Sequence, residues 1–449
     1  MRPQIRQDPA ETLAHLQQIV QDLLHEARRQ GATDAEASAS SGTGLEINVR
    51  LGELETLEHT RDNGLSIQVY FGHRKGSAST TDLSAAAIRD TVAAACSIAT
   101  HTQEEPCAGL PDAVHLAGEI PDLDLDHPWD LPVEEGVQLA ITCESAARSL
   151  DHRIVNSEGA NLSTHRNLHV YGNTRGFLAG YPSTRHGLSC ALVAQEGDSM
   201  ERDYWWTTSR VPAALERPEQ VGRRAAERTL ARLHSRRIPT GPAPVLFSAP
   251  VAAGLLRNLV AAISGASLYR KSSFLLDQLG SQLFPEFVYI YEEPHLPRAL
   301  GSAPFDGEGV ATRSKDLVRE GVLRTYLLDS YAACRLGMTT TGNAGGVHNL
   351  RIQPNAGDRS ELLRTMDRGL LVTELLGQGV NLVTGDYSRG AAGFWVEGGE
   401  IQYPVSEITI AGNLKEMFRQ LVAVGDDCDF PGNVQTGSWL IEQMMIAGT

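Results

Sequence analysis

Leu13, Leu16, Ile19, Val20, Leu23, Leu24 and Ala27 recur at spacings of three and four, which marks one buried face of a helix. Helix punctuation brackets the pattern. Asp8-Pro9-Ala10-Glu11 supplies an N-cap, a first-turn proline and a capping-box glutamate. Arg28 and Arg29 suit the last turn and Gly31 the stop. The period then switches to two. Leu45, Ile47 and Val49 alternate with polar residues, as do Leu65, Ile67, Val69 and Phe71, which predicts half-buried antiparallel strands. A second helix is expected over 84–100, with Ile88, Val92, Ala95 and Ala99 inward, and a third over 133–150. Alternation returns between Asn161 and Val193, and helical spacing over 218–233.

Residues 236–244 hold Pro239, Gly241, Pro242 and Pro244, the strongest linker signal in the chain. It separates an N-terminal portion, 1–235, from a C-terminal one, 245–449. Beyond it, 245–247 reads as a buried strand and 251–263 as an apolar helix; one further helix is expected over 361–376. The clearest hairpin follows: Phe394-Trp395-Val396, then Gly398-Gly399, then Ile401, Tyr403, Val405, Ile408 and Ile410. Strands cluster instead of alternating with crossover helices, so the expected fold class is α+β, with mixed or antiparallel sheets, flanking helices and a β-rich C-terminal half.

Charge narrows the partners. Lys and Arg number 39 against 55 Asp and Glu, a net charge of −16, and such a surface repels phosphate backbones. No nucleic-acid role is expected. The basic run 223–237 is interrupted by apolar residues at helical spacing and reads as the solvated face of a helix. No stretch approaches 18 apolar residues, and the N-terminus has no hydrophobic signal core, so the expectation is a cytoplasmic protein with no membrane role. The six cysteines lack any Cys-x-x-Cys pair and are expected to be reduced and mostly buried.

Candidate chemistry is sparse. His165 and His169 are four apart on a strand, where four residues span ~13 Å, too far to share an ion; they read as polar side chains on one exposed face. His295, after Glu292-Glu293-Pro294, reads as solvated surface. His348, between glycines and Asn349, reads as a structural hydrogen-bonding residue. There is no Gly-x-Ser-x-Gly elbow, no phosphate-binding glycine loop and no dinucleotide fingerprint.

Several longer segments carry more. These are Arg74–Ser84, Tyr269–Asp277, Pro304-Phe305-Asp306-Gly307-Glu308-Gly309-Val310, Gly342-Asn343-Ala344-Gly345-Gly346-Val347-His348-Asn349 and the block 381–413. Together, from about Leu45 onward, they resemble the TldD/PmbA metalloprotease family, and within it the PmbA (TldE) branch, whose older label is modulator of DNA gyrase. The resemblance implies a helix that in the catalytic branch carries His-Glu-x-x-x-His, with a late cysteine as third zinc ligand. Here Arg257 stands for the first histidine, Asn258 for the glutamate, Ala262 for the second histidine and Thr436 for the cysteine. None can bind zinc or act as the base. The expectation is therefore a subunit with no catalytic residue and no cofactor of its own, paired with a TldD-type partner that holds the zinc, or with itself in isolation. The implied substrates are short or unfolded peptides. Gly345, Gly346, His348, Tyr387, Ser388, Arg389 and Gly390 are the candidate lining of a shared peptide channel. Two other readings stay open: an independently active metallopeptidase with different ligands, and a regulatory binding protein outside any proteolytic complex.

Overall fold

The computed structural model describes residues 9–449. The predicted first helix, α1 (Pro9–Arg29), buries Leu16, Ile19, Val20, Leu23 and Ala27, and Gly31 at φ +91° turns the chain out of it. The predicted cap at Asp8 lies outside the described residues. Then come β1 (Asp34–Arg50), β2 (Glu53–Phe71), β3 (Arg74–Thr80), α2 (Ala85–His101), α3 (Val133–Arg148), β4 (Ile154–Asn173), β5 (Leu178–Glu196), β6 (Ser199–Ser209) and α4 (Pro218–Ala231). The six strands form one antiparallel sheet in the order β3-β2-β1-β4-β5-β6. Two helix pairs cover different parts of it. Buried side chains of α1 and α2 share one cluster, while α3 and α4 cross so closely that a Cβ on Gly222 would stand 2.0 Å from the Cys143 carbonyl oxygen.

The chain continues through β7 (Gly241–Phe247), α5 (Ala249–Ala262), α6 (Gly265–Tyr269), β8 (Ile290–Glu292), β9 (Lys315–Arg319), β10 (Val322–Leu323) and α7 (Ser330–Leu336). It ends with β11 (Leu350–Ile352), α8 (Arg359–Met366), β12 (Gly369–Leu376), β13 (Asp386–Glu397), β14 (Glu400–Asn413), α9 (Leu414–Arg419), β15 (Leu421–Val424), β16 (Val434–Gln435) and β17 (Trp439–Ala447). These strands make two sheets, β10-β9-β8-β11-β16 and β14-β13-β12-β7-β17-β15, the latter with a further β14–β17 pairing. The protein is thus α+β, with its β-rich half C-terminal. The β13–β14 hairpin turns at Gly398 (φ +61°) and Gly399 (φ +75°), the positive angles that a tight hairpin of this hand requires. Among the described residues no sheet joins strands from before 209 with strands from after 241, yet one apolar cluster unites Ile47, Leu162 and Trp205 with Phe247, Leu256 and Trp439.

Several local expectations change. Residues 241–244 are strand, not linker: the prolines fit because β12 pairs with β7 only at 245–247, leaving that flank of Pro242 and Pro244 free of a ladder. The helix expected over 361–376 stops at Met366, and 369–376 is β12. That strand is covered on both faces, with Leu370 and Val372 in one apolar cluster and Leu371 in another, so its apolar run is continuous and imitates a buried helix. The basic run is not simply solvated: Arg232 is half-buried among Glu201, Asp203 and Glu374, and Arg224 lies 3.6 Å over the Trp205 ring while pairing with Asp429. Cys107 and Cys334 form a disulfide between residues 227 apart in sequence, against the expectation of reduced thiols; Cys96, Cys143 and Cys190 are free and buried, and Cys428 is free and exposed. His165 and His169 are half-buried on β4, on the face that also carries the exposed Asn167. Among the described residues no helix is long and apolar enough to cross a membrane.

Candidate functional site

Helix α5 follows β7 through Ser248 and buries Ala252, Ala253, Leu255, Leu256, Leu259 and Ala262. Arg257 is left exposed and Asn258 half-buried. Arg257 faces the late segment, because it and Asn433 line one cavity of about 530 Å³. The fold therefore brings together the helix and the late segment on which the resemblance places the family's zinc ligands. The side chains do not suit the ion. Arg257 is cationic, Ala262 has no donor, and the buried Thr436 hydroxyl is already engaged, donating to the Gly437 carbonyl (2.8 Å) and accepting from Trp439 Nε1 (2.6 Å). Among the described residues no group of three or more His, Cys, Asp or Glu is placed to hold a metal.

The cavity lies between the two halves. Arg185 of β5 and Trp206 of β6 form one side, Arg257 of α5 another, and Leu300, Phe430 and Asn433 the rest. Behind Leu300 sits Arg210, only 9% exposed. Its guanidinium donates to the carbonyls of Ala299 (2.9 Å), Thr184 (3.2 Å) and Leu300 (2.9 Å). Burial, with Arg185 adding to it, pushes the Arg210 pKa down.

A second polar group surrounds His348. Glu292, wholly buried, accepts from the His348 backbone N–H (2.6 Å), from Asn343 Nδ2 (3.0 and 3.1 Å) and from Lys315 Nζ (3.1 Å), and His348 Nδ1 lies 2.8 Å from it. Burial pushes this carboxyl up, but the His348 hydrogen bonds and the Lys315 charge outweigh that and hold it at about 2. Burial lowers the Lys315 ammonium, and Glu292 opposes it. Gly345 (φ +100°) and Gly346 (φ +112°) shape the loop that delivers His348. Nearby, Asp306 accepts the Glu308, Val310 and Ala344 amides at 2.9 Å each, and burial pushes the Glu308 carboxyl up to about 7.

His348 is thus buried and meets Glu292 through both its backbone N–H and its ring, and Glu292 is buried instead of the solvated surface expected. His295 is exposed, in line with the surface reading, with Nε2 2.8 Å from Thr312 Oγ1, and what burial it has lowers its pKa. The other channel candidates lie elsewhere. Tyr387–Gly390 belongs to β13, in a different sheet from the strands that frame His348. Tyr387 is buried, and that pushes its phenol up to about 12. Ser388 is exposed, Arg389 donates to the Gly377 carbonyl (2.7 Å), and a Cβ on Gly390 would meet the Leu376 Cβ at 3.2 Å. No hydrogen bond, ion pair or ring contact of the described residues links this segment to the His348 group. Arg185, Arg210, Glu292 and Lys315 were not among the sequence candidates. For Glu292 a signal existed: Ile290 and Glu292 share one face of β8, Val288 stands two residues before it, and all three are fully buried.

An α+β scaffold with a helix and a late segment converging on one cavity is a metallopeptidase scaffold by its matches. Three family models cover most of the chain: PmbA/TldA metallopeptidase domain 1 at 35–99, the central domain at 126–233 and the C-terminal domain at 240–448. The chain belongs to the PmbA/TldD metallopeptidase family. It is 51% identical over 414 residues to metalloprotease PmbA of Escherichia coli O157:H7, covering 92% of each chain, and 48% identical to a PmbA homolog of Haemophilus influenzae, covering 96% of each. A solved structure from Bacteroides thetaiotaomicron, described as a modulator of DNA gyrase, superposes with TM-score 0.91 at 26% identity over 96% of this chain and 98% of that one. TldE from Thermococcus kodakarensis shares the fold, with TM-score 0.82 at 20% identity over 96% of this chain and 100% of that one.

Proposed function

We propose that this chain is a non-catalytic subunit of a peptide-degrading metalloprotease, in which a TldD-type partner holds the zinc and this chain completes the substrate channel. The observation that carries the reading is the chemistry at α5 and its facing segment. The scaffold of a metal site is kept, while Arg257, Asn258, Ala262 and Thr436 offer no ligand set and no general base. Metalloprotease relatives at 51% and 48% identity support the proteolytic context. Extended peptides are commonly held by added strand pairing, which needs no catalytic group from the holding subunit. A pseudo-twofold pair of related folds is the natural assembly, with a homodimer in isolation.

The test is elemental analysis and peptide hydrolysis by the purified chain alone. The proposal expects no stoichiometric zinc and no cleavage of casein or short peptides. One tightly bound zinc per chain, with activity lost on chelation, supports instead an independently active metallopeptidase.

A further inference from the structure

We infer that the cavity between β5, β6, α5 and residues 430–433 is a carboxylate-binding subsite for peptides, with Arg257 and Arg185 as its cationic walls. This rests on the proposed peptide-handling role and names the chemical group that this chain would hold.

The chain carries a net charge of −16, and many of its described arginines pair with an acid. Those around this cavity do not. Arg257 makes no hydrogen bond or ion pair among the described residues, and the one bond of Arg185 runs from Nε to Thr208 Oγ1 (3.3 Å). Arg210, behind the wall, spends its donors on three carbonyls and has no acidic partner. The acid adjoining the cavity in sequence, Asp429, is held by Arg224. Three guanidiniums without counter-charges repel one another, and an anion entering the cavity relieves that repulsion.

Shape favours an organic anion. A volume of about 530 Å³ lies within the usual range for small-ligand sites, and Trp206 and Phe430 give it an apolar wall for a side chain. A planar carboxylate matches the guanidinium fork. It can come from a peptide C-terminus or from an Asp or Glu side chain.

The experiment is fluorescence anisotropy with the full-length chain and three labelled pentapeptides: a free C-terminal acid, its C-terminal amide, and the amide with a glutamate at the last position. The expected result is at least about tenfold tighter binding of the free acid than of the plain amide. Arg257→Ala or Arg185→Ala should abolish that preference, and Arg257→Lys should keep part of it. If the glutamate amide binds like the free acid, side chains also serve as ligands; if it does not, the C-terminus is the ligand. Equal binding of acid and plain amide overturns the inference. So does a preference that survives both alanine variants, absence of binding by every peptide, or saturable binding of inorganic phosphate with none of the peptides. The readout uses the chain alone, so it fails or succeeds apart from zinc content and reconstituted activity.

Discussion

Glu292→Gln should destabilise the C-terminal half by about 3–5 kcal/mol at pH 7, the range for breaking a buried ion pair. Every partner of Glu292 is a donor: Lys315 Nζ, Asn343 Nδ2 and the His348 backbone N–H, with the His348 ring beside them. The amide has nearly the same shape, but its NH₂ would point at one of these donors, and Lys315, its side chain only 11% exposed, would lose its counter-charge. The depressed carboxyl pKa corresponds to a similar magnitude. Holding the carboxyl at about 2 rather than its usual 4.5 corresponds to about 3 kcal/mol favouring the ionised form in the fold. For a cooperative unit of about 200 residues this is a fall in Tm of at least about 6 °C. Because the folded-state pKa is depressed, this stability is present above about 4.5 and is lost as pH falls toward about 2. Guanidinium unfolding of both proteins across pH 2–7 is the assay. The gap between them should be full at pH 7 and shrink through that acid window. A loss under about 1 kcal/mol at pH 7, or one as large at pH 2 as at pH 7, refutes the role given to this carboxylate.

Glu308 should behave in the opposite sense. With its folded pKa raised to about 7, ionisation in the folded state is disfavoured, so its effect is a loss of stability as pH rises from about 4.5 to about 7. Glu308→Gln should then gain on the wild type across that window, checked by the same unfolding series; a constant difference would contradict it. Gly222→Ala should cost about 3 kcal/mol by forcing α3 and α4 apart, since the new Cβ would stand 2.0 Å from the Cys143 carbonyl oxygen, and thermal unfolding should report it.

The N-terminal half was legible because its elements expose one face and bury the other. α1 and the strands around Ile47 and Ile67 therefore carry their period in the sequence. The hairpin at Gly398-Gly399 was legible from turn chemistry alone. β12 was not, because a strand covered on both faces loses its alternation, and Leu370-Leu371-Val372 extends the apolar pattern of α8. The expected lack of metal ligands rests on the resemblance. The cavity beside those positions could not be read, since Arg185 and Arg257 come from β5 and α5 and meet only through tertiary packing. Glu292 shows the reverse error: an acidic pair before a proline suggests surface, and only the buried register of Val288 and Ile290 turns it inward.

In the proposed complex this chain completes a protease without donating a catalytic group. Reconstitution tests it most directly. A purified zinc-bearing TldD-type partner is assayed on short peptides alone and with this chain added at equal amounts. Little cleavage by either component alone is expected, with a rate that rises with added chain to a plateau near one-to-one. If the partner alone cleaves the peptides as fast as the mixture, the channel-completing role is wrong.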